Sequence, residues 1–235
     1  MSCLDLLHDG KSINELGATM TERPPLPSPE LRVEFKEVPG RHGSLTDIDA
    51  YSDITFSVEY NVLENKNIKP LIRQIRGFLS FTKTIQFTDD DVYYKVKHTR
   101  ILEATNEIEE YGLFTVEYVC DPFIYQLDVE DINITKKQII TNTGTVESEP
   151  LYIIKGSGLG KLIVNDDELN LIDLKEDEEL YLDAELLLAY SKDDLKKNRN
   201  FKIHGRIPNL KVGQNSISFS GGITSLVVNG RWRYL

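Results

Sequence analysis

Cysteine and long apolar runs are scarce in this 235-residue chain, and each shortage excludes a class of protein. The two cysteines, Cys3 and Cys120, lie far apart in the sequence, which argues against a disulfide-stapled domain and indicates a reducing compartment. The opening MSCLDLLHDGKS has neither a basic lead nor a sustained apolar run, so we expect no signal peptide. No apolar run is long enough to cross a bilayer, and we therefore expect a soluble protein made in a cytoplasm, without membrane partners.

Positive charge is also in short supply, since 27 Lys and Arg face 38 Asp and Glu, for a formal net charge of −11. Nucleic-acid phosphates bind clustered basic side chains, so no specific nucleic-acid binding is expected. The acidic excess is equally consistent with a role in solubility alone. The hydrophobic fraction of 40% is enough to build buried cores, which excludes a disordered protein.

Residue sets arranged for catalysis or metal binding are few. The four histidines, His8, His42, His98 and His204, have no Cys, carboxylate or second His at metal-ligand spacing. We expect each of them to be structural or exposed, and Cys120 to pack in a core. No Ser, His and Asp set contains a nucleophile-elbow motif, so an enzyme is the least favoured class, and no cofactor or metal is expected.

Two short motifs each allow a ligand-binding and a structural interpretation. Asp89, Asp90 and Asp91 cluster carboxylates as calcium sites do, but no Gly or Glu follows at calcium-loop spacing, which favours a charged hairpin turn. The run Gly156–Gly160 is similar to a phosphate-binding loop, yet the strand-like Lys161–Val164 follows it. A phosphate loop needs a helix N-terminus behind it, so we interpret this run as a hairpin turn.

Strand patterns dominate the first half of the chain. Ile54–Val62 alternates apolar and polar residues with a period of two, and Phe114–Cys120 repeats the pattern. Val92–Lys97 and Thr99–Ala104 are further predicted strands.

One segment departs from this pattern and predicts a helix over about 67–80, with Asn67 as its N-cap and Pro70 in the first turn. Its apolar residues recur at spacings of three and four; they are Ile68, Leu71, Ile72, Ile75, Phe78 and Leu79. We expect this face to pack across the sheet formed by the neighbouring strands.

The pattern changes near Asp128, where we place a domain boundary. Asp121-Pro122 is expected to end a strand, because proline cannot donate to a strand ladder. Turn signals then recur about every ten residues, which is typical of an antiparallel sandwich. The predicted strands are Gln138–Thr141, Leu151–Lys155, Gly160–Val164, Leu169–Asp173, Glu179–Asp183, Leu186–Tyr190, Ser216–Ser220, Ser225–Asn229 and Arg231–Leu235.

The stretch Glu22–Leu45 contains the most specific local signals. Four prolines favour an extended lead, and Leu31–Lys36 then alternates as a half-buried strand does. The basic turn that follows carries Arg41 between Gly40 and Gly43. Together these features indicate an arm that feeds a sheet, as in proteins that assemble.

The sequence of this stretch resembles that of the distal tail proteins of long-tailed, non-contractile phages. In that family a KRP-x-IPSP-x-R lead precedes a VPGR-x-GSL turn, and this chain has ERPPLPSPELR and VPGRHGSL. The resemblance continues in order along nearly the whole chain. The further matching segments are DGKS at 9–12, CDPF at 120–123, NTGTVESEP at 142–150, DAE at 183–185, LKVGQNSI at 210–217 and WRYL at 232–235.

The resemblance implies a mainly β protein with two domains. Residues 1–127 would form a β-sandwich or barrel-like ring domain with one packed helix, and residues 128–235 a galectin-like antiparallel β-sandwich. It also implies a homohexameric hub around a DNA channel at the virion tail tip, assembled in the bacterial cytoplasm. The implied partners are copies of this chain, the major tail tube protein, a tail-tip or tail-associated protein and the tape measure protein.

Two sets of contact residues follow from these interpretations. We predict a subunit interface that contains Leu26, Leu31, Val33, Phe35, Arg41, Tyr51, Phe56 and Tyr60. Trp232 and Tyr234 share a strand face, which allows a glycan-stacking platform but favours a strand that closes a core. The glycan interpretation supports an alternative function, a carbohydrate-binding module that contacts the host surface.

Overall fold

The protein, described from a computed structural model, is mainly antiparallel β-structure. The description covers residues 4–62, 68–106, 112–192 and 194–235, with all side chains in these ranges except those of 103–106 and 193–196. The chain divides into two compact units, Met1–Leu127 together with Leu235, and Asp128–Tyr234. Within the described ranges, every helix is too short or too polar to cross a bilayer.

The first unit contains one main sheet, a separate hairpin and a helix. Its strands are β1 (Leu6–His8), β2 (Lys11–Ser12), β3 (Ala18–Met20), β4 (Leu31–Glu37), β5 (Ser44–Tyr51), β6 (Ile54–Val62), β7 (Thr84–Phe87), β8 (Val92–Asn106) and β9 (Gly112–Gln126). The main sheet has the order β2-β1-β7-β8-β9-β6-β3, whereas β4 pairs with β5 in a two-stranded hairpin. A 3₁₀ turn, Ile13–Leu16, follows β2.

The apolar residues whose alternation predicts β6 are the residues that are buried in the structure. Every second residue from Ile54 to Val62 is buried, and the same holds for Phe114–Cys120 of β9. Helix α1 (Lys69–Leu79) packs on this apolar sheet face through its own buried side chains, Ile72, Ile75 and Leu79. Pro70 lies in the first turn of α1 as predicted, while Asn67 falls outside the described residues.

Two expectations for this sheet are wrong. Strand β9 does not end at Asp121-Pro122 but continues to Gln126. In the pairing of β8 with β9, Val96 lies opposite Cys120 and Tyr94 lies opposite Ile124, so the register shifts between these two pairs. Pro122 therefore lies in a bulge, where its lack of an N–H costs no ladder hydrogen bond. The two segments predicted between Val92 and Ala104 are likewise one strand, β8, interrupted only by bulges.

The second unit is built around two long strands. Its strands are β10 (Asp131–Ile134), β11 (Gln138–Asn142), β12 (Leu151–Val164), β13 (Asp167–Leu174), β14 (Leu180–Asp183), β15 (Leu188–Ser191), β16 (Asp194–Asn198), β17 (Ile203–His204), β18 (Gly213–Asn229) and β19 (Arg233–Tyr234). A short 3₁₀ turn, Asn200–Lys202, precedes β17. The order β10-β18-β12-β14-β15-β16 forms the main path, while β11 pairs with β18 and β13 pairs with β12 and β17.

Strands β12 and β18 correct a further expectation, because the run Gly156–Gly160 is not a hairpin turn. The two strands stay paired on both sides of this run, and their register shifts there. A Cβ on Gly156 would lie 2.4 Å from the Gly222 carbonyl oxygen, so only glycine allows the bent strands to approach so closely. The segments predicted at Leu151–Lys155 and Gly160–Val164 are therefore the two halves of one bent strand.

Both halves of the bent pair contribute to a single core. The first half of β12 supplies Tyr152 and Ile154, and the second half supplies Leu162 and Val164. All four side chains are fully buried. The sheet thus folds over its own apolar face, which is the arrangement of a β-sandwich.

Candidate assembly surface

The hairpin β4–β5 has two chemically different faces. On one face, Val33 lies opposite Ile48 and Phe35 lies opposite Thr46. The other face carries ion pairs, in which Lys36 Nζ lies 2.6 Å from Asp47 Oδ2 and Arg32 lies 3.3 Å from Asp49. One face is therefore satisfied within the protomer by charge, whereas the other face is apolar.

This apolar face is open to solvent. Phe35 is 67% exposed and Ile48 is 61% exposed, and Leu26 in the proline-rich lead is 77% exposed. A two-stranded hairpin is only marginally stable alone, and exposed apolar clusters mark interaction sites. The hairpin is thus the part of the first unit that most needs a partner surface.

The base of the hairpin is anchored to the first unit. The Tyr51 ring packs edge-on against Phe123 with a centroid separation of 5.7 Å. The Ser52 backbone N–H and side-chain hydroxyl both donate to the Glu30 carbonyl, at 2.8 Å and 3.0 Å. These contacts fix where the hairpin leaves the unit, so its apolar face has a defined position.

The predicted interface residues fall into two groups. Leu26, Phe35 and Arg41 are exposed, and Leu31, Val33 and Tyr51 are partly exposed, so all six are accessible to a neighbour. Phe56 and Tyr60 are not accessible, since they are 6% and 0% exposed in the core of the first unit. Their inclusion was wrong because strand alternation identifies an apolar face but not the element that covers it, which here is the first unit itself.

Trp232 is likewise closed to ligands. Its side chain is 7% exposed and belongs to the core of the second unit, where its ring covers Gly230. Tyr234 is partly exposed. A sugar needs an exposed aromatic face to stack on, and the Trp232 ring is buried. Trp232 therefore packs in the core and is not available as a glycan-stacking residue.

A buried polar chain in the first unit has no signal in the sequence. His8 is 1% exposed, and its Nε2 lies 2.7 Å from the Tyr118 hydroxyl, which in turn lies 3.0 Å from the Tyr60 hydroxyl. Burial lowers the pKa of His8 from 6.5 to about 4, so the imidazole is neutral at pH 7. Burial also raises the pKa of Tyr118 well above its ordinary value, so both hydroxyls keep their protons.

Helix α1 exposes a basic surface on the side opposite its apolar stripe, where the helical spacing also places Lys69, Arg73 and Arg76. Arg73 and Arg76 are exposed, and neither forms an ion pair with any described residue. Phe81, just beyond the helix, is 84% exposed. The composition agrees, since residues 65–88 contain five Lys and Arg and no Asp or Glu.

Features of a catalytic or metal site are sparse in the described ranges. No group of three or more His, Cys, Asp or Glu side chains there is placed to hold a metal ion. Asp89 forms an ion pair with Arg23 instead of gathering with Asp90 and Asp91. The second unit has a cleft of about 230 Å³ with a mixed-charge rim that includes Asp167, Glu168 and Arg206.

Comparisons with known proteins give a likeness in fold. No family model and no curated protein matches the chain. Among solved structures, it is similar to the SPP1 Dit (gp 19.1) protein, described as a paradigm of the hub adsorption apparatus in phages that infect Gram-positive bacteria. The TM-score is 0.72 at 15% sequence identity, and the alignment covers 100% of both chains.

A weaker likeness is to a chain of the phage p2 baseplate in its activated conformation, with a TM-score of 0.48 and 9% identity over 97% of this chain and 98% of that one. The SPP1 comparison extends over both units and all the elements described above. The chain is therefore similar in fold, which is mainly β, to the SPP1 Dit protein.

Proposed function

We propose that this protein is a structural hub at the distal end of a phage tail, where six copies form a ring around a channel for DNA. Two observations support the proposal together. The first is the likeness in fold to the SPP1 Dit protein over the full chain. The second, which carries the ring, is the exposed apolar face of the β4–β5 hairpin, comprising Val33, Phe35 and Ile48.

The energetics favour burial of this face between subunits. Fully burying an exposed Phe, Ile or Val side chain contributes roughly 1.5–3 kcal/mol. Association also costs translational and side-chain entropy, so a few such side chains are needed before a contact becomes stable. A closed ring repeats the same contact at every subunit boundary and leaves no hairpin uncovered.

The remaining assignments follow from a hub position. One side of the ring would join the major tail tube protein and the other a tail-tip or tail-associated protein, with the tape measure protein in the channel. The acidic balance of the chain suits a channel that repels passing DNA instead of binding it. In this role the protein acts by shape and contact, not by catalysis.

Electron microscopy of the purified protein, combined with light scattering after size exclusion, tests the proposal. We expect six-fold rings with a central hole and a mass six times, or twelve times for stacked rings, the 26.8 kDa chain. A monomer that persists at millimolar concentration and low salt would contradict the ring. The channel is tested separately, since a surface potential that is positive along the hole would exclude repulsion of DNA.

A further inference from the structure

The second half of β8 forms an open edge of the main sheet. Strand β7 pairs with β8 only at Thr84↔Lys95 and Ile85↔Tyr94, while β8 runs on to Asn106. Beyond Val96, no described strand pairs with β8 on the side away from β9. Open strand edges are sites where another chain adds a strand, and proteins normally cover them.

A groove follows this open edge. Between β8 and the C-terminal end of α1 lies a cavity of about 270 Å³, bounded by Arg76, Leu79 and Arg100. A second cavity of about 460 Å³ shares the lining residues Arg100 and Ile101 with the first and is also lined by Leu102. The groove therefore combines apolar side chains with two guanidinium groups, of which that of Arg100 already lies 3.0 Å from the Glu117 carboxylate in an ion pair.

The rim of the groove has the properties of a protein-binding surface. Arg76 has no ionic partner among the described residues, and Phe81 is 84% exposed close by in the chain. Exposed aromatic and arginine side chains are enriched where proteins bind one another. The absence of acidic residues from 65–88 makes this basic surface exceptional in a chain of net charge −11.

The hairpin of the same chain has the complementary chemistry. The segment Glu30–Tyr51 carries five acidic and three basic residues, and the Glu30 and Glu37 carboxylates form no ion pair with a described residue. Its apolar face supplies the side chains that an apolar groove requires. In its own protomer the hairpin pairs with no other strand of the described residues.

We propose that the β4–β5 hairpin of one copy occupies the α1–β8 groove of the next copy. Each subunit then gives one hairpin and receives one, which is a heterologous contact that closes into a ring. The acidic flank of the hairpin lies toward Arg76, and its apolar face covers Leu102. This inference rests on the proposed ring and adds the surface that receives the hairpin.

Disulfide trapping tests the contact directly. In a Cys3→Ser background, the double variant Ile48→Cys, Leu102→Cys should form covalent ladders up to the closed ring on mild oxidation, seen on denaturing gels. The remaining Cys120 is fully buried and does not react. The matched control, Ile48→Cys with Ile139→Cys, uses a side chain that is 60% exposed in the second unit, and should give no ladder.

Charge reversal supplies an independent measurement. The variant Arg73→Glu, Arg76→Glu should raise the dissociation constant of the assembly at least tenfold, whereas Lys136→Glu, Lys137→Glu in the second unit should leave it unchanged. Intact rings in the double-cysteine variant without a ladder would overturn the groove contact while the ring proposal stands. Cross-linking of Ile48→Cys alone would indicate a two-fold contact and overturn the groove, and a strictly monomeric protein would overturn both proposals.

Discussion

The side chains of His8 and Tyr118 meet in the core of the first unit, where Nε2 of the imidazole lies 2.7 Å from the phenol oxygen. The Tyr60 hydroxyl extends the chain from Tyr118 at 3.0 Å. The ring of Phe78 on α1 packs edge-on over the imidazole. A neutral histidine therefore lies where the helix and the sheet meet.

Acid is expected to destabilise the first unit through His8. Burial lowers its pKa from 6.5 to about 4, so the unfolded chain binds a proton at a higher pH than the folded chain does. The His8 contribution is therefore fully present above about pH 6.5 and declines as pH falls toward 4, by up to about 3 kcal/mol. Urea unfolding at pH 7 and pH 4.5 measures the change.

The matched variants for this test are His8→Gln and His98→Gln, since His98 is exposed in the same unit. Removing His8 should flatten the pH dependence relative to the natural chain, even if the protein is less stable at pH 7. Removing His98 should not. Equal pH dependence in all three proteins would show that His8 does not couple protonation to folding.

Changes on the apolar face of the hairpin should separate assembly from folding. Phe35→Ser and Ile48→Ser remove exposed side chains, so the free energy of protomer unfolding should change by less than about 0.5 kcal/mol. Assembly should weaken at least tenfold, because each change removes apolar area that a neighbour would bury. Sedimentation velocity and thermal unfolding measure the two effects, and Ile139→Ser is the control with comparable exposure.

Glycine at the bend of β12 and β18 should resist substitution. A Cβ on Gly222 would lie 1.7 Å from the Ser157 carbonyl oxygen, so Gly222→Ala must displace backbone and should cost about 1–3 kcal/mol. Gly77→Ala is the matched control, because α1 has open space there. That change should stabilise the helix by roughly 0.5–1 kcal/mol, so opposite signs in chemical denaturation are expected.

The ion pair between Arg231 and Asp183, one of the buried pairs of the second unit, gives another test. Arg231 donates through both terminal nitrogens to Asp183, with both distances 2.9 Å, and Asp183 is 2% exposed. Asp183→Asn leaves the guanidinium without its charge partner and should cost about 2–3 kcal/mol, less than a fully buried pair because Arg231 keeps some exposure. The exposed Asp167→Asn should be neutral within about 0.5 kcal/mol in the same urea titration.

The sequence predicted the elements whose pattern is local. Alternation located β6, and spacings of three and four placed a helix over about 67–80, because each period is set by one apolar face. It failed where pairing from both sides keeps a strand intact through Gly156 or Pro122. Glycine and proline signal a break, but a bulge or a close backbone approach accommodates them equally well.

The candidate site was predictable in part for a related reason. The strand β4 follows from the alternation at Leu31–Lys36, but its pairing with β5 alone and its exposure do not, since Phe56 shows the same alternation and is buried. The environment of His8 depends on Tyr118, which lies 110 residues away in sequence, and no local pattern reports such a pairing. The basic surface of α1, in contrast, can be predicted from the sequence, because residues 65–88 contain five Lys and Arg and no Asp or Glu.

The bent pair β12–β18 has a consequence for how the second unit responds to damage. Each strand runs through both halves of the unit, so neither half can detach while the other remains intact. A proteolytic cut at the Gly156–Gly160 bend would divide the core residues of the second unit between two fragments, and neither fragment alone would contain the complete core of that unit. The second unit is therefore expected to unfold in a single cooperative transition.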